Sequence, residues 1–409
     1  MFQAQSFIFD SFSFQKGEGK IVLRYRLDDV VNFEEVITLP TDREILHYPS
    51  DAALFLLHMA GGVSYYKTCL PKKIEVHSGT LIKEQAEFWN TVYEKGLGEF
   101  FYQNKIDYKG LIHFPVGENQ RPTKDNEPRD GSRGKILVPI GGGKDSMVTI
   151  EKLREEGKQV VLFRMGAHPL ISAIVKQTGL PCITVKRSLP ATLFQMNAEG
   201  ALNGHVPISA YLSALCVVIA EIYGLSGIAM SNEKSANYGN VEYLGTEINH
   251  QWSKSEEFEK MFQTYLQKNV NADLEYSSAL RSMNELEIAK EFCGYPEYFP
   301  LCTSCNKNWK IAGELKGKRW CGNCPKCAFS FCLFSAYLPV EILTEMFGKN
   351  LFDDESLIPL YKELLGLEGV KPFECVGTPD EVKEAFSLAH TRGELEKTPI
   401  MKMFLASQT

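Results

Sequence analysis

The chain has 409 residues, 44% hydrophobic and 23% charged, an ordinary globular composition with room for two or three domains and a sizeable core. A net charge of −7 and a pI near 5.8 disfavour a protein that grips many nucleic-acid phosphates, so no nucleic-acid partner is expected. The opening MFQAQSFIFDSF lacks the pattern of a signal peptide, and the longest apolar stretch, Ile208 to Ile222, carries Ser209, Ser213 and Glu221 and is too short to span a bilayer. With eleven cysteines and no secretory signal, the expectation is a cytoplasmic enzyme whose cysteines are thiols or metal ligands, without a membrane partner.

Residues 1–116 read as an N-terminal α+β domain. Phe7 to Phe14 and Ile21 to Leu27 flank a glycine-rich turn and predict a hairpin, with a further strand at Val36 to Leu39. From Asp51 the apolar spacing becomes helical, and the aromatic residues Phe88, Trp89, Tyr93, Phe100 and Phe101 fall at core positions of such helices. Residues 117–134 have no large apolar side chain and many charged, Pro and Gly residues, the composition of a linker.

The segment 135–290 begins with an apolar run, Ile136 to Ile140, followed by Gly141-Gly142-Gly143-Lys144-Asp145-Ser146 and a helical pattern closed by Gly157. Strand, glycine loop and helix make an anion cradle, because the loop can turn tightly and present N–H groups at a helix N-terminus. The P-loop signature fails, since Val138 stands where its first glycine is needed, and the dinucleotide fingerprint fails at Ser146. Further strands are expected at Gln159 to Met165, Cys182 to Val185 and Gly227 to Met230, with helices at Pro169 to Thr178 and Ile208 to Tyr223. This alternation predicts an α/β, parallel-sheet fold with its site beyond the carboxyl ends of the strands. Asn203 and His205, just before the long helix, and the polar run Ser231 to Tyr238 after a buried strand are therefore site candidates. Glu233 is the first choice for magnesium or general-base work.

Residues 291–338 form a cysteine-rich segment. Cys302-x-x-Cys305 and Cys321-x-x-Cys324-x-x-Cys327 have the spacing of a zinc site, with five thiols for four positions. Residues 339–409 read as a helical C-terminal cap, with Thr378, Pro379 and Glu381 as N-cap, first residue and capping-box partner of one helix.

The glycine loop resembles the S-G-G-x-D-S pyrophosphate loop of the ATP pyrophosphatase (PP-loop) superfamily, with Gly141 in place of the usual serine. That resemblance implies an adenine nucleotide alpha hydrolase-like domain and cleavage of ATP to AMP and pyrophosphate. ATP would contact Gly141, Gly142, Gly143, Lys144, Asp145 and Ser146, and the adenine would contact Arg164 and Met165. The zinc-bearing members of the superfamily imply Zn2+ on Cys321, Cys324 and Cys327, with Cys302 or Cys305 as fourth ligand. A fuller resemblance runs through Phe7, Phe9 and Asp10, the IGGGKDS loop, NGHVP, SNEKSAN and the cysteine segment. It is to the MurL-type, ATP-dependent UDP-N-acetylmuramoyl-L-alanyl-L-glutamate epimerases.

This resemblance implies adenylation of the terminal carboxylate of a UDP-sugar dipeptide, with Mg2+, followed by inversion of L-glutamate to D-glutamate. Lys144, Asp145, Glu233 and His205 are the catalytic candidates, and a spare cysteine of the cluster is a further acid/base candidate. The alternatives are a nucleobase-modifying enzyme, either 7-cyano-7-deazaguanine synthase-like or tRNA-thiolating, and a non-catalytic nucleotide sensor. Nothing in the sequence signals an oligomeric state.

Overall fold

The computed structural model describes residues 3–117, 134–309 and 318–408. The predicted linker thus lies outside the described residues except at its two end glycines. The N-terminal third supplies strands β1 (Ser6–Gln15), β2 (Lys20–Leu27), β3 (Val31–Thr38) and β4 (Lys73–Val76). Its helices are α1 (Asp51–Gly61), α2 (Val63–Tyr66), α3 (Lys83–Gly96) and α4 (Gly98–Gln103). Next come β5 (Lys135–Pro139), α5 (Lys144–Glu155), β6 (Gln159–Met165), α6 (Pro169–Thr178), β7 (Cys182–Ser188), α7 (Ala191–Ala198), α8 (Ile208–Ile222) and β8 (Gly227–Met230). A small hairpin, β9 (Val241–Tyr243) and β10 (Thr246–Ile248), precedes α9 (Glu256–Asn269), β11 (Glu275–Ser278) and α10 (Glu285–Phe292). The C-terminal part is helical: α11 (Pro325–Ser335), α12 (Val340–Phe347), α13 (Ile358–Leu364), α14 (Pro379–Arg392) and α15 (Pro399–Ala406).

One nine-stranded sheet, in the order β11-β8-β5-β6-β7-β3-β2-β1-β4, runs through the molecule. From β11 to β7 every pairing is parallel, as the alternating strands and helices require. The chain starts this parallel half at β5, moves outward through β6 to β7, then crosses back to β8 and β11. The direction of winding reverses between β5 and β8, so their carboxyl ends diverge and leave a crevice where a ligand can sit. The N-terminal strands continue the same sheet: β3 pairs antiparallel with β7 through Val36, Ile37 and Thr38, which covers an edge that would otherwise be open.

A buried charge cluster fastens that junction. Glu35 on β3 is fully buried and accepts two hydrogen bonds from Arg187 of β7, at 2.8 and 2.9 Å. The Tyr65 and Tyr211 hydroxyls donate to the same carboxylate at 2.7 and 2.6 Å, and Arg187 lies over the Tyr211 ring. Below it α1 packs against α8, whose residues from Ser209 to Ile222 are buried except for the half-buried Leu212. The aromatic residues Phe88, Trp89, Tyr93, Phe100 and Phe101 are core, as their helical spacing predicts.

His58 on α1 gives this core a pH dependence. Its ring nitrogens meet the Ser78 hydroxyl at 3.1 Å and the Arg24 carbonyl at 2.9 Å, and burial pushes its pKa down from 6.5 to about 4. The unfolded chain binds a proton below about pH 6.5 that the folded chain refuses until about pH 4, so acid favours unfolding across that window. Urea unfolding should show stability falling by as much as ~3 kcal/mol from this group between those pH values, and His58→Gln should flatten that slope. An unchanged slope in the variant would refute the assignment.

Candidate functional site

The glycine loop lies in the crevice at the end of β5. Gly142 has φ +88°, a conformation that glycine adopts at no steric cost, and Gly143 is extended and N-caps α5. Two contacts hold the loop in shape: Thr303 donates its N–H to the Gly142 carbonyl at 2.9 Å, and Ser146 Oγ donates to the Gly143 carbonyl at 3.0 Å. Around Gly141 there is open space. The N-terminus of α5, with the helix dipole behind it, therefore faces the crevice.

Three carboxylates converge beside it. Asp145 lies in the first turn of α5, Glu233 follows β8 and Glu285 begins α10, and one oxygen from each lies within 4.8 Å of the others. Lys144 Nζ is directed to both Asp145 and Glu285, and its side chain is buried. Burial raises the pKa of Glu285 to about 8 and also raises that of Glu233. Burial acts the same way on Asp145, but Lys144, Lys326 and Lys254 outweigh it and hold that carboxyl below its usual value. Glu233 is 1% exposed, and its Oε2 has no hydrogen-bond partner among the described residues.

A buried carboxylate oxygen without a donor is costly, and a divalent cation on hard oxygen ligands would remove that cost. Arg281 fixes the frame by donating to the backbone carbonyls of Glu233 at 2.8 Å and Lys254 at 2.7 Å, while it pairs with Glu259. Glu381 of α14 accepts from the Glu285 N–H at 2.7 Å and from the Ser235 hydroxyl at 2.5 Å, which ties the C-terminal helices to the same place.

A second polar group adjoins the first. Glu99 of α4 contacts His250 Nδ1, and His205 Nδ1 lies 3.4 Å from the same carboxylate oxygen. The two imidazoles are 4.4 Å apart between centroids. Cys375 stands near enough to His250 for each to act on the other's ionisation. Burial lowers the pKa of His250, but Cys375 and Glu99 outweigh it and lift it to about 9. His205 is pushed down to about 3 by burial and by His250, so His250 carries the proton of the pair. Burial would raise the Cys375 thiol, but Lys254, Lys326 and His250 hold it well below an ordinary thiol. Positive charge near a sulfur favours its thiolate form.

The cysteine segment packs on the glycine loop. Cys324 and Cys327 sit at the start of α11, where the C-x-x-C spacing brings both sulfurs to the N-terminal turn. Cys305, Cys321, Cys324 and Cys327 form one group, with sulfur separations of 3.7 Å for Cys321 and Cys327, 4.0 Å for Cys324 and Cys305, and 3.5 Å for Cys324 and Cys327. Four thiolates in tetrahedral contact with zinc would lie about 3.8 Å apart, so the group can hold a metal ion. Cys302 is not in it. That thiol is fully buried against the backbone of Lys144, and burial raises its pKa to about 12.

The structure thus brings Asp145 and Glu233 together beside Lys144, and places His205 in the neighbouring histidine pair. Arg164 and Met165 lie at the end of β6, next to the loop, where the Arg164 guanidinium donates to Thr184 Oγ1 at 2.9 Å and Ser172 Oγ at 2.6 Å. Asn203 accepts from Lys67 Nζ at 2.7 Å. Sequence reasoning did not find Glu285, Lys254, Lys326, Glu99 or Cys375. The capping box from Asn284 to Glu287 was the one local signal near Glu285; the others carry none.

Comparison with known proteins gives two family matches: the MurL N-terminal domain over residues 1–279 and the MurL C-terminal domain over residues 301–409. A protein of Xanthomonas oryzae pv. oryzae is 42% identical over 86% of this chain and 78% of its own length. One of Salinispora tropica is 37% identical over 98% of this chain and 88% of its own. One of Micromonospora sp. is 37% identical over 97% and 89%. Each is named UDP-N-acetyl-alpha-D-muramoyl-L-alanyl-L-glutamate epimerase.

Proposed function

The chain belongs to the MurL family, and from that premise we propose that it epimerises the terminal L-glutamate of UDP-N-acetylmuramoyl-L-alanyl-L-glutamate, a peptidoglycan precursor, at the expense of ATP. The observation that carries the ATP reading is the crevice between β5 and β8. There the glycine loop, a helix N-terminus and the Asp145, Glu233 and Glu285 carboxylates meet. The winding reversal at that crevice and the Gly142–Gly143–Asp145–Ser146 spacing support membership of the PP-loop superfamily.

The α-proton of a glutamate beside its own ionised carboxylate is held tightly. Transfer of AMP to that carboxylate removes the charge and makes the carbon acidic, with pyrophosphate leaving. The loop N–H groups and the α5 N-terminus bind the phosphates. Arg164 and Met165 flank the adenine at the end of β6. Asp145, Glu233 and Glu285 would hold Mg2+, which supplies charge neutralisation for the departing pyrophosphate. Lys144 favours the ionised form of Asp145 and also contacts Glu285. Water then releases AMP from the inverted product.

The test is incubation of the protein with ATP, magnesium and the UDP-sugar dipeptide, reading AMP release and glutamate chirality. AMP together with D-glutamate is expected; D-glutamate formed without ATP would remove adenylation, and neither product would remove the substrate.

The four-cysteine group is assigned to Zn2+, held by Cys305, Cys321, Cys324 and Cys327. Elemental analysis of the purified protein should find a single zinc per chain. Cys324→Ser should lose it and lower the thermal midpoint, because the metal closes the chain between residues 305 and 321. A metal-free wild type with the same midpoint would contradict this.

A further inference from the structure

We propose that Lys67, with the Asn203 side-chain amide beside it, binds an anionic group of the UDP-sugar dipeptide, either its diphosphate or the γ-carboxylate of its glutamate. This rests on the epimerase reading above and gives the N-terminal third a part in holding the substrate.

A buried charge without a counter-ion is the first ground. Among the described residues two lysines are buried, Lys144 and Lys67, each 5% exposed. Lys144 lies against Asp145 and Glu285. Lys67 has no such partner among the described residues. Its Nζ donates to Asn203 Oδ1 at 2.7 Å, a neutral oxygen that also accepts the Gly204 N–H at 2.9 Å. No neighbouring charge offsets its burial, which pushes its pKa down from 10.5 to about 8. An ammonium carries three donors and a full charge, and one shared amide oxygen satisfies neither. Buried charges are paired in folded proteins, and where the chain supplies no anion a ligand can.

Access is the second ground. Lys67 follows α2, and the Thr68 carbonyl accepts the Leu202 N–H at 2.9 Å, which clips this segment to the loop before α8. Asn203 and Gly204 in that loop are exposed, so Nζ lies just beneath an open surface. Both hydrogen bonds use the Asn203 oxygen and leave Nδ2 for solvent or a ligand. An oxyanion there would meet a charged donor and a neutral one from the same small patch.

Place in the fold is the third. α8 carries the chain from the carboxyl edge of the sheet back to the start of β8. The loop ahead of α8 therefore stands on the same rim as the glycine loop. A UDP-sugar dipeptide with its terminal carboxylate at the crevice can extend along that rim to Lys67. Besides that carboxylate it carries two anions, the diphosphate and the γ-carboxylate, and both are oxygen groups that an ammonium recognises.

Calorimetric titration without ATP tests this with three ligands: the UDP-sugar dipeptide, the same molecule with a γ-carboxamide, and the muramoyl dipeptide without UDP. Lys67→Met should bind the first about 30-fold or more weakly than wild type. One truncated ligand should show the same loss with wild type and no further loss with the variant. That ligand identifies the anion, since the cycle isolates the pair. A variant within about threefold of wild type would overturn the proposal, as would equal losses for both proteins with both truncated ligands.

The thermal midpoint of Lys67→Met should stay unchanged or rise, because the variant removes an uncompensated buried charge. Asn203→Ala, at an exposed position, guards against a misfolded variant and should weaken binding of the UDP-sugar dipeptide several-fold; unchanged binding would overturn the paired site. A wild type that neither binds nor epimerises the UDP-sugar dipeptide overturns the epimerase reading itself, and this is seen without any variant.

Discussion

Glu233→Gln is expected to lower ATP-dependent AMP release by roughly two to three orders of magnitude while the thermal midpoint stays unchanged or rises. Glu233 follows β8 at the crevice, 1% exposed, with one carboxylate oxygen that no protein donor satisfies. It faces Asp145 and Glu285 within 4.8 Å. Burial first, and then the charge of the neighbouring Asp145, leaves Glu233 and Glu285 reluctant to ionise. Removing one charge relieves the free protein, whereas the same change deprives a cation of a hard anionic ligand. Stability and activity should therefore move in opposite directions, a signature that general damage to the fold does not produce. Raising magnesium should recover part of the activity. AMP release within about tenfold of wild type would remove Glu233 from the nucleotide site.

Glu35→Ala should cost about 3–5 kcal/mol of stability, read as a lower urea midpoint. The variant leaves the Arg187 guanidinium buried without its carboxylate, and leaves the Tyr65 and Tyr211 hydroxyls without an acceptor. The penalty is mostly the desolvated charge left behind, not the net strength of the pair. Glu35→Leu combined with Arg187→Met should accordingly recover much of the loss. A single variant within about 1 kcal/mol of wild type would show that water reaches the junction between β3 and β7.

The local chemistry of this protein is written in its sequence. Three glycines after an apolar run dictate a tight turn, and Gly142 does adopt a positive φ before α5 begins at Lys144. The bounds of β6, α6 and β8, and the Thr378–Pro379–Glu381 cap of α14, follow from hydrophobic period and capping signals within a few residues. Short strands were harder. The four residues of β4 (Lys73–Val76) and of β11 (Glu275–Ser278) carry little apolar pattern, and they become strands because a sheet edge is there to pair with.

The site required the tertiary structure. Lys254, Glu285, Lys326 and Cys375 stand far apart in the chain, with no motif to mark them. The fold brings Glu285 to Asp145 and Glu233, and sets Lys254 and Lys326 near enough to act on Asp145. Five cysteines satisfied the same zinc spacing, and the choice of Cys305 over Cys302 came from where the backbone turns after Tyr298 and packs on the glycine loop. Backbone conformation and period are local properties, set by neighbours within a few residues. The ionisation of a buried carboxylate or thiol is set by charges that only the folded chain brings near.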